Sequence, residues 1–135
     1  MSRITTRPID PEALVREVAH PGAGAILTFA GVVRDENLGD EVRAIDYHGY
    51  EKMADRELRR IEEEAEERWP GVRTRIVHRL GHLEIGDTSV LIAVSSPHRD
   101  AGFQALRYAI DTLKERAPIW KKEILLDGER WIEGS

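Results

Sequence analysis

LKERAPIWKKE, Leu113 to Glu123, joins two periodicities and holds three of the chain's four lysines; the other 16 basic residues are arginines. Upstream, Phe103, Leu106, Ile110, Leu113 and Ala117 recur at intervals of three and four, which predicts a helix with one apolar stripe, capped by Asp100 and stopped by Pro118. Downstream, an extended chain sends Ile119, Lys121 and Glu123 to one side and Trp120, Lys122 and Ile124 to the other, and Asp127-Gly128 turns it into a hairpin with ERWIE. The lysines are therefore not one cluster. Lys114 shares an edge of the helical stripe with Arg107, and the turn at Ala117-Pro118 can bring one strand lysine to it. Alternation leaves open whether that is Lys121 or Lys122.

The rest of the chain has the same mixed character. A first strand is expected at Arg3 to Thr6, then a helix capped by Asp10, with Pro11 at its first position and Ile9 stapled onto Leu14, ending near Pro21-Gly22. Ala23 to Val33 reads as a mostly buried strand with Arg34 at its exit, and Val42 to Tyr47 as another. From Glu51 the period becomes helical, with Met53, Leu58, Ile61, Ala65 and Trp69 as the stripe and RRIEEEAEER as a solvated face. Strands at Arg73 to Leu80 and Val90 to Ser96 follow. Strands outnumber helices without strict alternation, so the expectation is a single α+β domain, residues 1–135, with a mixed or antiparallel sheet and about three helices rather than a doubly wound sheet.

Composition narrows the chemistry. Without cysteine there is no thiolate nucleophile, thiolate metal site or disulfide, and a net charge of −5 disfavours broad binding to nucleic acid or anionic lipid. No apolar run reaches the ~20 residues of a membrane-spanning helix, and MSRITTRPID lacks the apolar core of a signal peptide, so a cytoplasmic protein is expected. His78 and His82 fall on a strand and its turn, too far apart to chelate, and no metal is assigned. His98-Arg99 precedes the N-terminus of the Phe103 helix, whose free N–H groups and dipole favour an anion; as plain loop residues they would need no function. Arg34, leaving a buried strand before a loop, is a candidate for a second cationic group.

FAGVVR (Phe29 to Arg34), YEKMA (Tyr50 to Ala54), VHRLG (Val77 to Gly81), SSPHRDAGF (Ser95 to Phe103), DTLKERAPIWKKE (Asp111 to Glu123) and DGERW (Asp127 to Trp131) stand in one order and together resemble the catalytic, large-subunit family of molybdopterin synthase. The Asp111 to Glu123 segment is the specific part. The resemblance implies a hammerhead-like α+β fold and a heterotetramer: a homodimer core with a small ubiquitin-like sulfur-carrier subunit at each end. It implies no permanently bound cofactor. Sulfur would come from the partner's C-terminal thiocarboxylate and pass to cyclic pyranopterin monophosphate, two transfers making the dithiolene of molybdopterin. The family's key lysines fall on Lys114 and Lys121, and its substrate contacts on Val32, Val33, Arg34, His98, Arg99, Lys121, Lys122 and Glu123.

Cations let a phosphate-bearing substrate and an anionic thiocarboxylate approach, and crowding lowers a lysine's pKa from ~10.4 so that it can exchange protons, which arginine cannot readily do. Two other classes fit the same residues: a non-catalytic module binding an anion or acidic tail, and an enzyme using Lys114 or Lys121 as a Schiff-base amine. Dithiolene formation dependent on a thiocarboxylated partner separates the synthase from both.

Overall fold

Asp10 starts the first helix as expected: its carboxylate accepts from the Glu12 N–H at 3.1 Å, with Pro11 in the first helical position. In the computed structural model, which describes residues 2–134, this helix is α1 (Pro11–Val18), preceded by β1 (Ile4–Thr5) and followed by β2 (Ala25–Val32), β3 (Glu36–Asn37) and β4 (Asp40–Gly49). Then come α2 (Glu51–Arg68), β5 (Arg73–Arg79), β6 (Gly81–Glu84), β7 (Thr88–Ser96), α3 (Arg99–Arg116), β8 (Ile119–Leu125) and β9 (Gly128–Glu133). Met1 and Ser135, the ends of the expected 1–135 domain, lie outside the described residues.

The strands form two sheets. The first has the order β1-β5-β7-β2 and is mixed, β1 running parallel to β5 and the rest antiparallel. The second is antiparallel, β3-β4-β8-β9, with β6 also paired to β4. Alternation splits the core. Ile76, Ile92 and Val94 pack with Leu58, Ile61, Ala105 and Leu113 of α2 and α3, while Val77, Leu91 and Ala93 on the opposite face pack with Leu14 and Val18 of α1. Ile9 joins that second cluster, as the staple predicts. The α+β architecture with three helices agrees with the expectation.

Five expectations need correction. Residues Ala23 to Val33 are not mostly buried: β2 is the last strand of its sheet and only alternate residues pack, leaving Ile26 45% and Val32 52% exposed. Asp100 is not the cap of α3; His98 holds that position with no side-chain cap bond, and Asp100 lies in the first turn, where its charge suits the helix dipole.

The buried line of α3 is Gly102, Ala105, Ala109 and Leu113, with Phe103 59% exposed. Small residues let the helix approach the sheet closely. A Cβ on Gly102 would stand 2.7 Å from Leu27 Cδ1 and 3.2 Å from Ser96 Cβ. On α2, likewise, Met53 is exposed while Ala54, Leu58, Ile61 and Ala65 are buried, and Glu62 of the acidic run is buried rather than solvated.

Candidate functional site

The break at Pro118 does what periodicity predicts. Ile119 and Glu123 are buried on the inner side of β8, and Lys121 shares that side, its Nζ 6.0 Å from the centroid of the Tyr47 ring. Lys122 points the other way, 3.1 Å from Glu129 and 3.6 Å from Asp46, and lies over the Trp131 ring. The lysine paired with Lys114 is thus Lys121. Lys122, expected among the substrate contacts by resemblance, is on the outer face and already paired.

Lys114, in the last turn of α3, lines a cleft of about 960 Å³ with Tyr50, Pro118, Trp120, Trp131 and Ile132. Burial lowers the pKa of its amine. Lys121 is lowered too, first by burial and then by Lys114 and Arg34, while Glu123 acts in the opposite direction. Lys121 therefore senses a second amine and a guanidinium at this end of the molecule. A loss of positive charge is easiest where cations crowd, and an arriving anion is most favoured there.

Beneath the lysines lies a polar layer that the sequence did not single out. His78, considered only as a metal ligand, is fully buried and packs edge-on against Tyr47, with ring centroids 5.1 Å apart. Its Nδ1 is 2.8 Å from the Arg79 carbonyl, which can only accept, so Nδ1 carries the proton and Nε2 the lone pair. Burial, then the nearby Lys114 and Lys121, hold the imidazole neutral, with its pKa lowered to about 4. His82 sits apart on β6, bonded to Asp46 and Glu84. Among the described residues, no group of three or more His, Asp and Glu side chains is arranged to hold a metal ion.

The remaining expected residues divide. Val33 is buried and Val32 exposed at the end of β2, and Arg34 follows them beside Lys121. Glu123, 2% exposed, spends its carboxylate on Arg130 and Asn37, so it supports the site from below rather than facing a ligand. His98 and Arg99 are exposed at the opposite end of α3, where they line a cleft of about 550 Å³ with Gly24, Ala25 and Pro97. At 1.5 Å per residue, Arg99 and Lys114 are roughly 22 Å apart along the helix, so one chain does not bring the two cationic groups together.

That second cleft is tightly built. A Cβ on Gly24 would fall 2.5 Å from the Pro97 carbonyl oxygen, backbone that cannot simply swing aside. Gly24→Ala is expected to displace the loop carrying His98 and to lower stability by about 1–3 kcal/mol, read from urea denaturation. An unchanged midpoint would show that the loop yields freely.

Fold and site together define a single-domain α+β protein with two neighbouring lysines, Lys114 and Lys121, at the meeting of a helix end and a β-hairpin. The family model described as MoaE protein matches residues 4–116. Relatives named molybdopterin synthase catalytic subunit are 47% identical over 96% of this chain and 83% of theirs in Halalkalibacterium halodurans, and 48% identical over 96% and 82% in Bacillus subtilis. The crystal structure of molybdopterin synthase from Staphylococcus aureus superposes with a TM-score of 0.94 at 44% identity, covering 97% of this chain and 96% of that one. The chain belongs to the MoaE family of molybdopterin synthase catalytic subunits.

Proposed function

We propose that this protein is the catalytic subunit of a molybdopterin synthase, moving sulfur from the C-terminal thiocarboxylate of a small ubiquitin-like carrier to cyclic pyranopterin monophosphate. The observation that carries the reading is the pairing of Lys114 with Lys121, both depressed in pKa, beside Arg34 and next to a cleft wide enough for a peptide tail. The relatives' name, catalytic subunit, presupposes another subunit. Exposed Tyr50 and Trp131 at the mouth of the cleft offer that subunit an apolar landing. No permanently bound cofactor is needed, since the carrier supplies the sulfur. Among the described residues no helix is long and apolar enough to cross a membrane, and we place the reaction in the cytoplasm.

The distance between the two cationic groups is resolved by a second copy. The outer edge of β2 has no neighbour among the described strands, and Ile26 and Val32 leave apolar surface beside it. Antiparallel pairing of β2 with the β2 of another chain about a two-fold axis would set the start of one strand against the end of the other. His98 and Arg99 adjoin the start, Arg34 the end. Each site would then take its lysines and Arg34 from one chain and His98 and Arg99 from the other.

Purified chain given thiocarboxylated carrier and cyclic pyranopterin monophosphate should form dithiolene product; no product under any carrier loading would sink the assignment. Mixing two inactive variants, Lys121→Ala and Arg99→Ala, should restore up to about a quarter of wild-type activity, since random pairing rebuilds one site in half of the dimers. Sites contained within single chains would give no recovery.

A further inference from the structure

Arg34 does not stand alone at the end of β2. It begins the short hairpin of β3 and β4, and its Nη2 donates to Asn37 Oδ1 at 3.2 Å. The Asn37 amide is itself oriented, because its Nδ2 donates to Glu123 Oε2 at 2.9 Å. Turning the amide over would face its oxygen to a carboxylate and its NH2 to a guanidinium, two repulsive contacts in place of two hydrogen bonds. Glu123 thus dictates which end of Asn37 meets Arg34.

Arg130 holds the other side. Its Nε and Nη2 lie 2.9 and 2.7 Å from Glu123 Oε1, Nη1 is 2.9 Å from Asp40 Oδ2, and Nη2 donates to the Asn37 carbonyl at 3.1 Å. One planar guanidinium therefore clamps the hairpin to β8 and β9 while neutralising a buried carboxylate. That neutralisation matters for the lysines: Glu123 shares a strand face with Lys121 and raises its pKa, opposing the effect of Lys114 and Arg34. Without Arg130, the buried carboxylate would need another cation, and Lys121 and Arg34 are at hand.

We propose that Asn37 and Arg130 are positioning residues of this site: Asn37 aims Arg34 at the anion, and Arg130 keeps Glu123 from capturing the cations that the substrate must meet. This rests on the function read above and adds two residues to it. Neither touches the reacting atoms: loss of Asn37 belongs in substrate affinity, whereas loss of Arg130 also leaves Glu123 to raise the Lys121 pKa and so reaches the chemical step.

The test varies cyclic pyranopterin monophosphate at saturating thiocarboxylated carrier. Asn37→Ala is expected to raise KM about tenfold with kcat within about threefold of wild type, and Arg130→Gln to raise KM about tenfold and to lower kcat as well. Adding Glu123→Gln to Arg130→Gln should recover most of the KM loss, because the stranded carboxylate is gone, and Arg130→Lys should fall between wild type and Arg130→Gln. Wild-type KM in both single variants, or a double variant no better than Arg130→Gln, overturns the proposal. Asn37→Ala removes only a hairpin side chain, so it decides the matter if Arg130→Gln fails to fold. An inactive wild type brings down the functional reading, and this inference with it; an active wild type with indifferent variants brings down the inference alone.

Discussion

Replacing Lys121 by arginine is expected to slow single-turnover product formation by about 10²–10⁴-fold, the range for losing a positioned acid or base, with Lys114→Arg losing most activity as well. Both substitutions keep the charge, so a site that needs only cations would tolerate them. On the proposed function it needs more. Burial, Lys114 and Arg34 push the Lys121 amine below its ordinary pKa, and burial does the same for Lys114. An amine so depressed can release and regain a proton while the cyclic phosphate opens and sulfur adds. Guanidinium cannot do so.

The wild-type pH–rate profile should accordingly show an ionisation below the usual lysine value, missing from the arginine variants. Lys122→Arg is the contrast: exchanged on the outer face between Asp46 and Glu129, it should stay within about threefold of wild type. Near-normal rates in both Lys114→Arg and Lys121→Arg would rule out the titratable role.

Local periodicity carried the reading a long way, and it failed where long-range packing overrides it. Pro118 and strict alternation were enough to separate Lys121 from Lys122, because a strand has only two faces. The stripe of α3 was displaced because hydrophobicity ranks Phe103 above Gly102, whereas close approach to Leu27 and Ser96 rewards the absence of a side chain. Leu106 and Ile110 of that expected stripe still pack at the margin of the core. Nothing local could announce Asn37, whose amide meets a carboxylate 86 residues away. Resemblance supplied His98, Arg99 and Glu123 as one group. The fold instead puts the first two at the far end of a helix and the third beneath the lysines, because α3 runs the length of the domain between the two cationic clusters.

Glu62 shows how far an acidic run can mislead, and it sets the largest expected loss of stability. It lies in RRIEEEAEER yet is 4% exposed, accepting from Arg3 Nε at 2.7 Å, from Arg3 Nη2 at 2.9 Å and from the Ile76 backbone N–H at 2.9 Å. Even so, its pKa is raised, because burial outweighs Arg3 and the other partners. The loss of this carboxylate is felt chiefly through the partner left behind. Glu62→Ala would take two hydrogen bonds from the buried Arg3 guanidinium and leave the Ile76 N–H without its acceptor. The expected cost is about 3–5 kcal/mol, read from urea denaturation at pH 7. Replacing both partners, Arg3→Met with Glu62→Leu, removes the two buried charges together and should cost less, because neither is left facing an apolar side chain. A Glu62→Ala loss below about 1 kcal/mol, or a double variant as unstable as the single, would mean that water reaches this ion pair and that its burial does not govern its energetics.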